Sequence, residues 1–315
     1  MSGPDVAILI PTLRRPAELE RALRSIFAQT GVQGRIAAIV VADNDPDGTA
    51  APVVQALTAG SPAPLVYHHV PRPGVATARN AALGQTSAPL IAFLDDDEVA
   101  SPGWLAALLE AQALTGADVV FSPIAGRAPT ARPWLRPYLE RFFGRAGPET
   151  TGLIEDSFGC GASLMVRATA LPGSAPFDAS ADQSGGEDDA LFAALRARGG
   201  RFAWAAEAGV EEYAPAHRAT LSYALARAFA YGQGPSQTAA RARDWPAVAR
   251  WMAVGAAQAT IFGLAALVLT LVLSPRRADL LDRAARGLGK LFWMKGLEPN
   301  FYGTRELERL KTKRA

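Results

Sequence analysis

Leu90-Ile91-Ala92-Phe93-Leu94-Asp95-Asp96-Asp97-Glu98 passes from five apolar residues to four carboxylates without a break. An apolar run that does not alternate fits a strand covered on both faces, since a half-exposed strand would alternate apolar and polar residues. Four carboxylates crowded at its end repel one another and are costly unless solvated or neutralised. A divalent cation held together with substrate phosphates is one neutraliser, because Mg²⁺ typically takes one or two carboxylates and fills its shell with phosphate oxygens. Taken alone, the cluster also fits an acidic turn leading into a helix, whose N-terminus favours carboxylates.

Working outward, Val6–Ile10, Ile36–Ala42, Leu65–Val70 and Val119–Ser122 read as further strands. Helical patterns over Ala17–Gln29, Ala50–Ala59, Val75–Gly84 and Trp104–Leu114 separate them. Strands alternating with helices of this length imply βαβ units, hence an α/β fold with a mostly parallel sheet flanked by helices. Ligands of such sheets sit beyond the carboxyl ends of the strands. Those ends are polar here: Pro11-Thr12 after the first strand, Asp43-Asn44-Asp45 after the second, the acidic cluster after the fourth. Arg79 follows the third strand on the same edge, placed to pair with the aspartates or with a diphosphate; the plainer alternative is a solvated helix face. Past about Trp134 the pattern loosens. Ser163–Val166, Phe202–Ala205 and Val210–Glu212 are short strand candidates, and Asp188–Arg198 and Thr220–Tyr231 read as helices. Gly185-Gly186-Glu187-Asp188-Asp189 opens the first of these helices, either as a tight turn presenting a general base or as an acidic helix cap.

The 315 residues are 49% hydrophobic and 20% charged, which excludes a disordered chain and fits one large domain or a domain with an appendage. One cysteine, Cys160, makes no internal disulfide, and a reducing compartment is expected; three histidines and one cysteine supply no zinc cluster. Cys160 reads as a small packing residue. The run Val6–Ile10 is too short for a signal peptide and has no basic residue before it, so the body is expected in the cytosol.

The net charge of +2 hides an asymmetry: residues 275–315 carry eleven basic and five acidic side chains, and the rest of the chain is mildly acidic. Between Arg250 and Arg276 lie 25 residues without a charge. About 20 apolar residues suffice to cross a bilayer core; the other reading is a buried core helix. Basic residues flank both ends, which opposes a single span under the positive-inside tendency. A re-entrant or interfacial segment with a bend at Gly263 keeps both flanks in the cytosol. The following stretch Arg276–Lys295 sets Leu281, Leu288, Leu291 and Phe292 against Arg283, Arg286 and Lys290, as in helices that lie in the headgroup plane and attract anionic lipid. The expected organisation is a domain over 1–240 and a membrane-associated apolar helix or hairpin with a basic amphipathic tail over 241–315. An acidic body and a basic tail beside apolar sequence argue against nucleic acid.

Pro11-Thr12, Val-Ala-Asp43-Asn-Asp45, Gly74…Ala78-Arg79-Asn80, Phe-Leu-Asp95-Asp96-Asp97-Glu98 and Gly-Gly-Glu187-Asp188 stand in an order that resembles the family 2 glycosyltransferases. The resemblance covers about residues 5–235. Through Arg-Arg-Pro16, Val-Ala-Asp43-Asn-Asp45, Phe-Leu-Asp95-Asp-Asp-Glu98 and Trp104, it is nearest to the succinoglycan-type exopolysaccharide glucosyltransferases.

The resemblance implies the Rossmann-like GT-A fold and an inverting, metal-dependent transfer from a UDP-sugar, UDP-glucose first among them. It implies donor binding by Pro11, Thr12, Arg14, Asp43, Arg79, Asp95 and Asp96. Asp97, the last residue of the Asp-x-Asp signature, would ligate Mg²⁺ or Mn²⁺, and Asp188 would be the catalytic base. The implied acceptor is a saccharide linked to polyprenyl diphosphate, at the cytoplasmic face of the inner (cell) membrane and in contact with membrane lipid. Two departures from the pattern stand out: Glu212 occupies the place where many relatives carry a metal-binding His, with His217 five residues on reading as a surface residue, and Ala162 stands where many have Asn. The competing readings are a membrane-attached nucleotide-sugar binder without turnover and a sugar-nucleotide pyrophosphorylase. The pyrophosphorylase would need a Gly-rich phosphate loop that Pro11-Thr-Leu-Arg-Arg-Pro16 is not.

Overall fold

The structure is a computed structural model that describes residues 3–182, 185–299 and 301. The part of the basic tail beyond residue 301 lies outside the described residues. The strands are β1 (Val6–Thr12), β2 (Ile36–Asp43), β3 (Leu65–His69), β4 (Leu90–Phe93), β5 (Glu98–Ala100), β6 (Val119–Phe121), β7 (Ile124–Arg127), β8 (Gly152–Ile154), β9 (Ser163–Val166), β10 (Phe202–Trp204) and β11 (Val210–Tyr213). The helices are α1 (Pro16–Phe27), α2 (Ala51–Leu57), α3 (Val75–Leu83), α4 (Trp104–Thr115), α5 (Arg136–Phe143), α6 (Arg167–Ala170), α7 (Glu187–Ala197), α8 (Leu221–Arg241), α9 (Trp245–Leu271) and α10 (Arg277–Leu291).

The chain folds as two compact units. The first comprises, of the described residues, 3–125, 144–182, 185–213 and 301. Its main sheet runs β3-β2-β1-β4-β9-β6-β10-β8. Strands β1 to β4 pair in parallel, as the βαβ pattern requires. The second half is mixed: β9 lies antiparallel between β4 and β6, and β8 is an antiparallel edge. Helices cover both faces. Val6, Ile8 and Ile10 of β1 pack with α1, α2 and α4, while Ala7 and Leu9 pack with α3, α6 and α7. Burial on both faces is why the strands read as unbroken apolar runs. Helix α1 starts with Pro16 in its first turn, where a missing N–H costs nothing, and buries Leu19, Ala22, Leu23 and Ile26 at helical spacing.

Because β2 and β4 lie on opposite sides of β1, the carboxyl end of β1 is a topological switch point. Register brings Thr12 beside Asp43 there. A smaller sheet, β5-β11-β7, follows the acidic cluster; β5 and β11 were not both legible, since only Val210–Glu212 carried a strand signal.

The second unit comprises residues 126–143 and 214–299. The helix expected over Thr220–Tyr231 continues to Arg241 with Pro235 inside it. Gly-Gln-Gly-Pro235 reads as a stop, but packing overrides it. Gln233 donates to the Phe292 carbonyl at 2.8 Å and the Ser236 hydroxyl to the Lys290 carbonyl at 2.9 Å, tying α8 to α10 through the proline turn. Helix α9 continues through Gly263, so no break divides it into a hairpin there. A glycine is required at 287: a Cβ there would lie 2.6 Å from the Ala259 nitrogen and 2.7 Å from the Gly255 carbonyl oxygen. Backbones approaching this closely through small residues resemble helix pairs in membranes. On its other side α9 leaves Ile261, Leu264, Leu267, Val268 and Leu271 exposed, and only 11% of its most apolar stretch is buried.

Candidate active site

Asp43 ends β2 fully buried. Its oxygens accept from the Asp45 and Ala50 nitrogens at 3.1 and 2.9 Å and from the Tyr67 hydroxyl at 2.9 Å, so it orders the turn into α2. Burial together with this carboxylate pushes the Tyr67 phenol well up. Asn44 clamps the next segment, donating to the Val70 and Arg72 carbonyls. Arg14, in the left-handed region at φ 56°, turns to Asp45 at 2.9 Å and also meets Asp47. Burial would raise the Asp45 carboxyl, but hydrogen bonds from Thr49 and Arg14 outweigh it and hold the group below the usual range.

The acidic cluster is organised by a residue the sequence did not single out. Arg15, not Arg14, places one guanidinium nitrogen 2.7 Å from Asp96 Oδ1 and 2.6 Å from Asp97 Oδ2. Thr12, next to Pro11 at the end of β1, donates its hydroxyl to Asp96 Oδ2 at 2.7 Å. Both aspartates are buried. Burial pushes Asp96 up to about 6, against the pull of Arg15 and with the repulsion of Asp97.

Asp95 points elsewhere and is more open, with 37% of its side chain exposed. Its Oδ1 lies 3.5 Å from buried Arg79, which also pairs with Glu187 at the start of α7. The Arg79 Nε is buried and has no hydrogen-bond partner. Asp188, one residue into α7, accepts from the Cys160 nitrogen at 3.0 Å through Oδ2 and from the Asp189 nitrogen at 2.9 Å through Oδ1. Two charge-assisted bonds of this kind fix a carboxylate's direction.

The loop Gly159-Cys160-Gly161 joins these carboxylates. A Cβ on Gly159 would sit 3.5 Å from Asp188 Oδ2, and one on Gly161 only 2.7 Å from Asp95 Oδ2 and 2.8 Å from Glu98 Oε1. Arg145 holds the loop by donating to the Gly159 and Gly161 carbonyls at 2.9 and 3.0 Å. Glu98 caps the Asp95 nitrogen at 2.8 Å and faces Glu212 across the β5–β11 pair. Burial, with Asp95 and Glu212 nearby, pushes Glu98 well above its ordinary value. Arg145 and Arg15 were given no role from the sequence, and Glu187, quoted there in the acidic stretch before α7, is the ion-pair partner of Arg79. Arg15 was within reach in Arg-Arg-Pro16, whereas nothing in the loosened pattern around Arg145 marks it.

Among the described residues, no three His, Cys, Asp or Glu side chains are grouped to hold a metal alone. A cation bound chiefly through substrate phosphates needs only one or two protein carboxylates. Asp97 and Asp95 are hard oxygen donors of that kind, and Arg15 already stands as a positive charge between Asp96 and Asp97. The residues fit Mg²⁺ or Mn²⁺ on this chemistry.

The family model described as glycosyl transferase family 2 matches residues 7–171. The chain is 34% identical over 304 residues to the succinoglycan biosynthesis protein ExoM of Rhizobium meliloti (strain 1021), covering 96% of this chain and 97% of the relative. Among solved structures, the mannosyltransferase PcManGT from Pyrobaculum calidifontis in complex with GDP-Man and Mn²⁺ aligns with a TM-score of 0.60 at 17% identity, over 94% of this chain and 89% of the other. TarS 1-349 of S. aureus in complex with UDP aligns with a TM-score of 0.54 at 14% identity, over 93% and 92%. At such identities the structural matches establish the GT-A fold alone. The sequence matches carry more, since one spans over half of the chain and the other nearly all of it, and they displace the pyrophosphorylase and the binder without turnover. The chain therefore belongs to glycosyl transferase family 2 and is a glycosyltransferase.

Proposed function

We propose that the protein moves a sugar from a UDP-sugar, UDP-glucose first among the candidates, to a saccharide linked to a polyprenyl diphosphate. The reaction inverts the anomeric centre and depends on Mg²⁺ or Mn²⁺. The observation that carries this reading is the convergence of Asp188 and Asp95 on one short loop at the carboxyl end of β4, with Asp97 alongside Asp95 in the chain. A base and a leaving-group site must face the same anomeric carbon, and that loop is the shared boundary.

Asp188 takes the proton of the acceptor hydroxyl while that oxygen bonds to the anomeric carbon and the bond to the nucleoside diphosphate breaks. Its two hydrogen bonds to main-chain nitrogens aim the carboxylate without consuming all its lone pairs. General-base help of this kind is worth about 10²–10⁴ in rate. Asp97, with Asp95, would hold the divalent cation, which supplies Lewis-acid neutralisation of the departing diphosphate. Arg79 keeps a buried donor, Nε, in reserve beside Asp95, and Arg15 contributes fixed positive charge behind Asp96. Thr12, Asp43 and Arg14, with Pro11, would frame the nucleotide end of the donor.

We further propose that residues 1–240 form the catalytic domain and 241–315 the membrane attachment, at the cytoplasmic face of the inner membrane. The exposed apolar side of α9 and its basic flanks support this. UDP release from a panel of UDP-sugars, with Mg²⁺, Mn²⁺ or EDTA and with membrane-lipid extract as acceptor, tests the whole reading. Release that requires metal, extract and Asp188 is expected. Release that Asp188→Ala leaves intact would remove the assigned base.

A further inference from the structure

Between α9 and α10, Gln258, Phe262, Arg283, Arg286 and Lys290 line a cleft of about 260 Å³. That volume is below the range of about 300–1,000 Å³ usual for small-molecule sites, and it suits a headgroup-sized ligand. Three of the five lining residues are cations. Arg286 donates to Asp282 at 2.7 Å, and Asp282 also accepts from the Tyr138 hydroxyl, so this single carboxylate is shared. Among the described residues neither Arg283 nor Lys290 forms an ion pair. Arg283 instead lies over the Phe262 ring, 5.3 Å from its centre, which leaves the guanidinium edge open for hydrogen bonding. Burial and the charge of Arg286 both press Lys290 toward its neutral form. Three like charges gathered around a cleft with one shared carboxylate beside them are stabilised by a bound anion. Gln258 adds a polar group whose oxygen is buried and unpartnered, and rotating its amide presents the N–H₂ group at the same place.

The surroundings decide what kind of anion. One turn and more along α9 from Gln258, the exposed side chains are Ile261, Leu264, Leu267, Val268 and Leu271. The helix that lines the cleft with Gln258 and Phe262 therefore also carries an exposed apolar face. Basic pockets between apolar helices near the cytoplasmic side recognise lipid phosphates by this arrangement.

We propose that the α9–α10 cleft binds a lipid-borne phosphate group, through Arg283, Arg286 and Lys290, while the exposed side of α9 meets the acyl or isoprenoid chains. The same chemistry can be offered by an anionic phospholipid headgroup or by the diphosphate of the lipid-linked acceptor. The proposal rests on the membrane attachment argued above and is independent of the donor and of Asp188.

The test is flotation of the full-length protein with vesicles of phosphatidylcholine alone, phosphatidylcholine with phosphatidylglycerol, and phosphatidylcholine with a polyprenyl diphosphate. The variant Arg283→Gln/Lys290→Gln is compared with Arg250→Gln/Arg276→Gln, which removes the same charge from exposed positions outside the cleft. Diffuse attraction, worth about 1 kcal/mol per basic residue near the surface, predicts equal losses for the two pairs. The cleft predicts a loss of affinity at least about tenfold larger for the Arg283/Lys290 pair (~1.4 kcal/mol), with binding kept by the charge-preserving Arg283→Lys/Lys290→Arg. A selective loss on phosphatidylglycerol assigns the cleft to membrane headgroups, and one on polyprenyl diphosphate assigns it to the acceptor. Equal losses for the two pairs overturn the proposal while leaving membrane attachment in place. Failure of the wild type to float with any vesicle overturns the attachment itself, and UDP release then still reports on the transferase reading.

Discussion

Gly161→Ala isolates the geometry on which the catalytic reading depends. The added methyl carbon would sit 2.7 Å from Asp95 Oδ2 and 2.8 Å from Glu98 Oε1, where ordinary contact begins at 3.4 Å. The Asp95 carboxylate must therefore retreat by about 0.7 Å. It has little freedom to do so, because Arg79 lies 3.5 Å away on one side and Glu98 is pinned to the Asp95 nitrogen. Misplacement of about 1 Å in a reacting constellation costs on the order of 10²-fold, so kcat is expected to fall about 10- to 100-fold. Stability should suffer less. Overpacking costs about 1–3 kcal/mol, and here the displaced atoms are side-chain tips, which places the variant at the lower end. The assay pairs UDP release at saturating UDP-sugar with thermal unfolding of the same preparation. Gly152→Ala is the control, since nothing lies within 4 Å of the Cβ it adds, and it should retain wild-type turnover. Wild-type activity in Gly161→Ala, or a loss matched by an equal unfolded fraction, would refute the argument.

Two further outcomes follow from the charges. Arg15→Gln leaves Asp96 and Asp97 buried without their shared cation, a change that costs about 3–5 kcal/mol when no replacement is present. Its melting temperature should drop in EDTA and recover part of the difference with Mn²⁺ and UDP; an equal drop in both buffers would mean that no cation takes up that role. Glu98, raised well above its ordinary 4.5, keeps its proton in the folded protein over a range where the unfolded chain has lost it. Stability therefore falls as pH rises upward from about 4.5 through the folded value, because the folded form binds more protons there. Glu98→Gln should flatten that slope in urea titrations run with EDTA and change little at low pH, and an unaltered slope would locate the proton elsewhere.

The parallel half of the sheet was legible because its strands are buried on both faces and its helices carry apolar stripes at helical spacing. Val6–Thr12, Ile36–Asp43 and Leu90–Phe93 differ from their expected spans by two residues at most. The same local logic located the functional edge, since Thr12, Asp43 and the Asp95–Glu98 cluster stand at strand ends in sequence as in space. Beyond Trp134 the strands are three or four residues long, too short to show a period, and their pairing is non-local. The antiparallel insertion of β9 between β4 and β6 has no local signal. Helix α8 passing Pro235 is similar: the local sequence says stop, and hydrogen bonds from residues more than fifty positions away say continue.

Sequence by itself determined the fold class, the family and the carboxylates available for chemistry, because periodicity and residue type are local properties of the chain. It also marked the apolar helix and its basic flanks. Only the tertiary structure decided which neighbour each charge meets. Arg14 and Arg15 are adjacent and chemically identical, yet a left-handed turn at Arg14 sends one to Asp45 and leaves the other to bridge Asp96 and Asp97. Asp95 likewise meets Arg79, while Asp96 and Asp97 share Arg15 and Asp96 also accepts from Thr12. Coulomb energy falls with distance and depends on burial, and both quantities exist only once segments far apart in the chain have been packed together.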